Sequence, residues 1–248
     1  MTKVTATDSH TNRVITALGM LLCLGVVIAL DIWLNVPMIA LFITLLALMC
    51  VVELSSYKVK NRAVTLAIIL QLVIVIFAVA AAWIAELTED NLLLMVVAVI
   101  VPSTVQNMAA YYIGRFLLER EKAKAKWLMR LLRWHYFKHS PRKTLGVIVL
   151  SSTVAVVFAC ACFFTHPLFL VVAVLSAIFA GLGDLLESRL KRLVGVKDSG
   201  ENLRKGNSPL SAIERAIASH GGFLDRLDSL LFSTALSLIP IILYVVNL

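Results

Sequence analysis

Seven apolar stretches dominate this sequence, and most are long enough to form a helix that crosses a lipid bilayer. Such a helix needs about 20 apolar residues to cover roughly 30 Å of hydrocarbon. The stretches lie at residues 14–34, 37–54, 64–85, 92–113, 145–165, 167–183 and 229–247. Of the 248 residues, 60% are hydrophobic and 15% are charged, whereas soluble domains have about 25% charged residues. A soluble or disordered chain is excluded. The predicted fold is an all-α polytopic membrane protein with about seven transmembrane helices plus cytoplasmic interfacial helices.

The first stretch and the four cysteines need an interpretation of their own. The apolar run of 14–34 exceeds the core of a signal peptide, and no small-residue cleavage site follows it at 35–37, so we expect a retained anchor.

The cysteines lie in apolar runs without metal-type spacing, which favours packing residues over a disulfide framework. They are Cys23, Cys50, Cys160 and Cys162.

The basic residues indicate an orientation. All 23 Lys and Arg residues fall within four segments, 3–13, 58–62, 115–143 and 189–226, which lie on one side if the chain alternates across the bilayer. Cytoplasmic loops are enriched in Lys and Arg. We therefore expect a multi-pass protein of the cell (cytoplasmic) membrane, with its N-terminus in the cytoplasm and its C-terminus outside. The net charge of +8 then reflects this one-sided distribution, and no nucleic acid is expected as a partner.

The chain divides into three predicted regions. Residues 1–113 form the N-terminal transmembrane helices 1–4, and residues 114–144 form a basic cytoplasmic interfacial segment. Residues 145–248 form a C-terminal transmembrane region with the candidate catalytic residues and a cytoplasmic insertion at 201–219. In the basic segment, Trp127, Leu131, Trp134 and Lys138 recur at helical spacing, as in helices that lie on an anionic leaflet. A solvated connector that only anchors its neighbours is the alternative.

Ionisable residues become dense where the sixth stretch ends. If the chain stays helical there, Asp184, Glu187, Ser188 and Lys191 share one face, because residues three and four apart are neighbours on a helix. A carboxylate at the edge of the hydrocarbon is costly unless it is paired or binds a cation. The alternative to a functional site is a capped helix with an internal pair between Glu187 and Lys191.

A second group follows a pair of glycines before the last apolar stretch. Asp225 and Asp228 lie one turn apart after Gly221 and Gly222. Glycines allow backbone N–H groups to approach an anion, and a helix N-terminus adds positive charge. Paired carboxylates are ligands that Mg²⁺ uses when it also holds substrate phosphates. The pair alone could be a helix cap beside Arg226, but together the acidic groups indicate metal-assisted phosphate chemistry.

The ordered string of polar residues resembles the C-terminal signature of the phosphatidate cytidylyltransferase (CDP-diacylglycerol synthase) family. It comprises Gly183 to Arg192, Lys197 to Gly200, and His220-Gly221-Gly222 through Leu230. A weaker similarity extends upstream to Glu53, Ala110-Tyr111 with Gly114-Arg115, and Ser140-Pro141 with Lys143-Thr144.

Three departures from the family pattern stand beside this resemblance. Asn107 replaces an Asp of the family, and Leu145-Gly146-Val147 stands where the family shows Trp-Glu-Gly. The segment before His220 is also longer than in the family.

The resemblance implies an enzyme that transfers a cytidylyl group from CTP to phosphatidate, giving CDP-diacylglycerol and pyrophosphate. It implies one or two Mg²⁺ ions as cofactor, and CTP, phosphatidate and membrane lipids as partners. The implied catalytic residues are Asp184, Lys197, Asp198 and Asp225. The implied metal ligands are Asp184, Asp225 and Asp228. Substrate and phosphate groups would contact Ser140, Lys143, Lys191, Arg192, His220, Gly221, Gly222 and Arg226.

Other classes remain as alternatives. The first is a catalytically impaired family member that acts as a nucleotide- or lipid-binding membrane protein, which the departures from the pattern motivate. A transporter is disfavoured because the spans are nearly free of charge and show no repeat. A CDP-alcohol phosphotransferase is disfavoured because its paired Asp motif is absent. A related cytidylyltransferase that acts on a different lipid phosphate stays open, and so does a homodimer.

Overall fold

A bundle of long helices makes up the protein. The computed structural model describes residues 22–34, 36–59, 61–88, 92–119, 144–196, 198–201 and 222–246. The helices, in chain order, are α1 (Leu22–Leu34), α2 (Met38–Ser55), α3 (Arg62–Thr88), α4 (Leu92–Glu119), α5 (Leu145–Phe163), α6 (Pro167–Val194) and α7 (Leu224–Val246). The all-α fold predicted from the sequence is confirmed.

Six of these helices, α2 to α7, are long and apolar enough to cross a membrane, and the protein is a multi-pass membrane protein. They match the second to seventh predicted spans. The helix α1 is shorter, and residues 14–21 of the first predicted span lie outside the described residues. A crossing by this first stretch stays a prediction.

Successive helices run in alternating directions, so that their ends collect in two layers. The helix α7 packs against α3 and α6, α6 packs against α4 and α5, and α2 packs against α3. One layer contains the last turns of α2 and α6 and the first turns of α3 and α7, and we call it the charged end. At the opposite end, Asp31 Oδ1 accepts a hydrogen bond from Met38 N at 2.8 Å, and Glu86 Oε2 accepts one from Ala40 N at 3.1 Å.

Small and polar side chains line the contacts within the bundle. Ser103 Oγ on α4 donates to Ser233 Oγ on α7 at 3.0 Å, and Gln106 Nε2 donates to Ser151 Oγ on α5 at 3.0 Å. A Cβ atom on Gly183 would lie 2.5 Å from the backbone oxygen of Asp228, so α6 and α7 touch along their backbones. Small residues permit this approach in membrane bundles, where helix packing depends on van der Waals contact.

The helix α6 extends past the sixth apolar stretch, 167–183, as far as Val194. It therefore contains Asp184, Glu187, Ser188 and Lys191, as the interpretation of these residues as one helical face requires. The charges do not end the helix, because Lys191 pairs with Glu187 one turn earlier. The helix ends at Gly195, whose φ of 86° is left-handed, and its N–H donates to Lys191 O at 2.8 Å. The last helix likewise begins at Leu224, five residues before the predicted limit of 229.

Candidate functional site

A cavity of about 630 Å³ opens at the charged end, between α4, α5, α6 and α7. Its walls combine carboxylates and guanidinium groups with small and aliphatic side chains. The lining residues are Gln106, Asn107, Ala110, Tyr111, Gly114, Arg115, Val147, Ile148, Gly181, Asp184, Asp225, Arg226, Asp228 and Ser229. Residues from the two predicted acidic groups, far apart in the chain, thus face one space.

The other predicted site residues divide into two groups. Lys191 is half-buried behind the cavity wall, Arg192 is exposed, and Asp198 is half-buried in the turn 198–201. None of these three contributes to the lining of the cavity. The predictions that lie outside the described residues are Ser140, Lys143, Lys197, His220 and Gly221.

Asp225 is held from three directions at the first turn of α7. Its Oδ1 contacts the ammonium group of Lys191, and its Oδ2 accepts from Ser199 N at 2.9 Å and from Gly222 N at 3.1 Å. Charge-assisted hydrogen bonds of this kind are stronger than neutral ones. The carboxylate therefore joins α6, the turn 198–201 and the start of α7.

Lys191 also contacts Glu187, so that one cation stands between two carboxylates. The distance from Lys191 Nζ to Glu187 Oε2 is 2.8 Å, and the Glu187 side chain is only 1% exposed. This is the internal pair between Glu187 and Lys191 that the sequence left open as the alternative. The carboxylates of Glu187 and Asp225 compensate the charge of Lys191. In this conformation, Lys191 connects α6 with α7.

Gly222 occupies a junction that has no room for a side chain. A Cβ atom on it would lie 2.2 Å from Ser199 Oγ, 2.4 Å from Glu53 Oε1 and 2.5 Å from Gly200 N. Its own N–H is donated to Asp225. Close packing therefore explains why this position needs a glycine. Binding of phosphate by Gly222 stays a prediction.

Tyr57 lies beside the same carboxylates, just beyond the end of α2. Its side chain is buried, and its hydroxyl has no hydrogen-bond partner among the described residues. Burial, together with the negative charges of Glu187, Glu53 and Asp225, raises the pKa of the Tyr57 phenol above its ordinary value. The phenol therefore stays neutral in the folded protein.

Several wall residues were missed or only partly foreseen from the sequence. The weak upstream similarity pointed to Tyr111 and Arg115, and both line the cavity. Gln106 carried no signal, because an amide in an apolar helix is ordinarily a packing residue. Asn107, noted only as a departure from the pattern, accepts a hydrogen bond from Ser229 Oγ at 3.4 Å.

The donors on the wall are of the type that Mg²⁺ prefers. Within the described ranges, no three His, Cys, Asp or Glu side chains form a ready metal-binding group. Carboxylates of Asp184 and Asp228 nevertheless face the same cavity as the amide of Asn107. Mg²⁺ is commonly held by one or two carboxylates, with substrate phosphates and water completing its shell. This set of hard oxygen donors fits such an ion.

The chain is similar in sequence to proteins of known activity. The sequence model of a family described as "Cytidylyltransferase family" matches residues 1–244. A phosphatidate cytidylyltransferase of Helicobacter pylori is 44% identical over 107 residues, which are 40% of this chain and 34% of that protein. One of Bacillus subtilis is 33% identical over 132 residues, which are 51% of this chain and 39% of that protein.

The matches to these relatives are partial in both directions. One from Staphylococcus haemolyticus is 45% identical over 65 residues, or 26% of this chain and 20% of that protein. The chain thus spans between a fifth and two fifths of the length of these three curated relatives. No solved structure matches the chain.

Proposed function

Because the chain belongs to the cytidylyltransferase family, we propose that it transfers a cytidylyl group from CTP to phosphatidate. The products are CDP-diacylglycerol and pyrophosphate. The observation that carries this proposal is that Asp184, Asp225 and Asp228 line one cavity together with Arg115 and Arg226. Relatives named phosphatidate cytidylyltransferase support the choice of lipid substrate.

The composition of the cavity suits two polyanionic substrates, one of which is a lipid. Ala110, Val147 and Ile148 give one part of the wall an aliphatic character, which can accept the glycerol end of a lipid. Arg115 and Arg226 offer positive charge to phosphate groups, for which guanidinium is well shaped.

The reaction demands charge neutralisation and alignment more than acid–base catalysis. An oxygen of the lipid phosphate attacks the α-phosphorus of CTP, the bond to the bridging β-phosphate oxygen breaks, and pyrophosphate leaves. The lipid phosphate is already ionised near neutral pH, so no general base is required. Catalysis of such transfers depends on positioning and electrostatic stabilisation.

We propose that the carboxylates of Asp184, Asp225 and Asp228 would hold one or two Mg²⁺ ions. Bound there, Mg²⁺ would supply positive charge to the phosphates of CTP. Asp225 also contacts Lys191, Ser199 and Gly222, and these contacts fix its position on the wall. From the family resemblance, we further propose that Ser140, Lys143, Lys197, Asp198 and His220 contribute to substrate binding.

The test is an assay of the full-length protein in lipid nanodiscs with labelled CTP, phosphatidate and Mg²⁺. Asp184→Asn and Asp228→Asn should each lower turnover by about 100-fold and raise the Mg²⁺ concentration for half-maximal rate. Asp31→Asn removes the same charge at the opposite end of the bundle and should leave this Mg²⁺ dependence unchanged. Failure of the wild-type protein to form CDP-diacylglycerol while it still binds CTP would favour the impaired, binding-only alternative.

We also propose that the charged end faces the cytoplasm, in the cytoplasmic membrane, on the basis of the one-sided distribution of Lys and Arg. A Lys58→Cys variant in a cysteine-free background tests this orientation. A membrane-impermeant maleimide should label it in inverted vesicles and fail to label it in right-side-out vesicles. The reverse pattern would overturn the assignment.

A further inference from the structure

One carboxylate at the charged end lies outside the cavity and is the most deeply buried of the group. Glu53, in the last turn of α2, has a side chain that is 0% exposed. An ionised carboxylate removed from water is unfavourable unless hydrogen bonds or opposite charge compensate it. The hydrogen-bond partners of Glu53 therefore indicate what this buried carboxylate does.

Both oxygens of Glu53 bind the backbone at the start of α7. Oε1 accepts from Phe223 N at 2.5 Å, and Oε2 accepts from Leu224 N at 2.8 Å. The first N–H groups of a helix have no partner within the helix, and the N-terminus carries partial positive charge. Glu53 supplies both acceptors and the matching charge, so that α2 determines where α7 begins.

The position of this cap connects it to the cavity. Asp225 follows Leu224 directly, and Asp228 lies one turn further along α7. Gly222 touches Glu53 Oε1 so closely that a Cβ atom there would approach to 2.4 Å. Glu53 therefore holds the start of the helix that carries Asp225, Arg226 and Asp228, although Glu53 is not among the residues that line the cavity.

We propose that Glu53 is a positioning residue for the transfer reaction: by capping α7, it sets the location of the acidic residues on the cavity wall. This inference rests on the proposed function, and it adds a residue that acts through the backbone of Phe223 and Leu224. The Glu53 carboxylate also occupies the N–H groups at the N-terminus of α7. Substrate phosphates would therefore bind to other groups of the cavity.

The chain offers a matched control at its other end. Glu86 also accepts a hydrogen bond from a backbone N–H near a helix start, that of Ala40. Glu53→Gln and Glu86→Gln thus make the same chemical change at opposite ends of the bundle. In each, an amide NH₂ replaces one carboxyl oxygen, and the other oxygen remains as an acceptor.

The experiment measures kinetics and amide exchange for both variants in nanodiscs. For Glu53→Gln, kcat should fall at least 10-fold, with KM for phosphatidate changed less than 3-fold, and Glu53→Asp should recover part of kcat. Gly222→Ala should give the same pattern of kinetic change, because it disturbs the same junction. Glu86→Gln should retain kcat within 2-fold.

Amide exchange separates this proposal from the proposed function, because it requires no turnover. Deuterium uptake in the peptide that contains Phe223 and Leu224 should rise in Glu53→Gln and stay unchanged in Glu86→Gln. Equal losses of activity and of melting temperature in the two variants would overturn the positioning role, as would unchanged exchange at 222–226. A wild-type protein without transferase activity would refute the function while leaving the exchange test of the cap intact.

Discussion

Ser199 and Asp225 bind each other twice, in opposite directions. Ser199 N donates to Asp225 Oδ2 at 2.9 Å, and Asp225 N donates to Ser199 Oγ at 3.3 Å. The two residues are 26 positions apart in the chain, so this reciprocal pair joins the turn after α6 to the first turn of α7. Together with the contact between Lys191 and Asp225, it fixes the first turn of α7 against the end of α6.

Replacing Asp225 by Asn should lower turnover by about 100-fold or more, because a displacement of about 1 Å in a reacting group can have an effect of this size. The substitution removes the charge that Lys191 contacts and weakens the acceptor for Ser199 N and Gly222 N. The measurement is CDP-diacylglycerol formation at saturating CTP, with membrane insertion checked in parallel. Near-normal turnover would contradict an essential role for this carboxylate.

Replacing Gly183 by Ala should destabilise the bundle by about 1–3 kcal/mol, as overpacking of a filled interior generally does. The added Cβ would lie 2.5 Å from the backbone oxygen of Asp228 and 2.9 Å from Phe232 Cβ, which forces α6 and α7 apart. Thermal unfolding in detergent measures the effect. Gly25→Ala is the matched control, since a Cβ there meets nothing within 4 Å; equal melting temperatures for the two variants would contradict the close helix contact.

The hydroxyl pair of Ser103 and Ser233 should contribute only modestly to stability. A double-mutant cycle with Ser103→Ala and Ser233→Ala should give a coupling of about 0.6 kcal/mol, the average found for hydrogen bonds between membrane helices. Ser103 Oγ also donates to Val99 O at 2.7 Å, and Ser233 Oγ lies 3.4 Å from Ser176 O, so each hydroxyl retains a second contact. Unfolding in mixed micelles provides the four free energies, and a coupling of zero would show that the two hydroxyls do not interact.

Alkaline pH should destabilise the protein partly through Tyr57. The folded state raises the pKa of this phenol, whereas an unfolded tyrosine titrates near pH 10. Above about pH 10, the unfolded chain releases a proton that the folded protein keeps, so the stability due to Tyr57 is present below that pH and is lost above it. Tyr57→Phe should show a weaker decline in melting temperature between about pH 9.5 and 11 than the wild-type protein. Identical declines would contradict a neutral, buried phenol.

Hydropathy alone predicted the membrane fold well, because the free energy of transfer into lipid is summed over entire helices. The second predicted span, 37–54, agrees with α2 to within one residue at each end. The apolar stretch alone does not give the full length of a helix, since α6 continues through Glu187 and Lys191, which pair with each other. A helix with an internal ion pair continues where composition alone would end it.

The candidate site was predicted as a set of residue types rather than as a set of contacts. The sequence could indicate that Asp184, Asp225 and Asp228 belong to one site, because a carboxylate near the hydrocarbon layer is costly in free energy unless it is paired or binds a cation. It could not reveal that Glu53 caps a helix 170 residues later, because the partners are backbone N–H groups, which every residue type except proline offers. Contacts of side chains with distant backbone leave no pattern in the sequence.

The length of α6 has a consequence for how the surrounding lipid acts on this protein. Its 28 residues span about 42 Å, whereas the hydrocarbon layer measures about 30 Å. A helix of this length either tilts within the bilayer or extends beyond it. A change in bilayer thickness would therefore change the tilt or the depth of α6, and the close backbone contact between Gly183 and Asp228 would pass that change to α7.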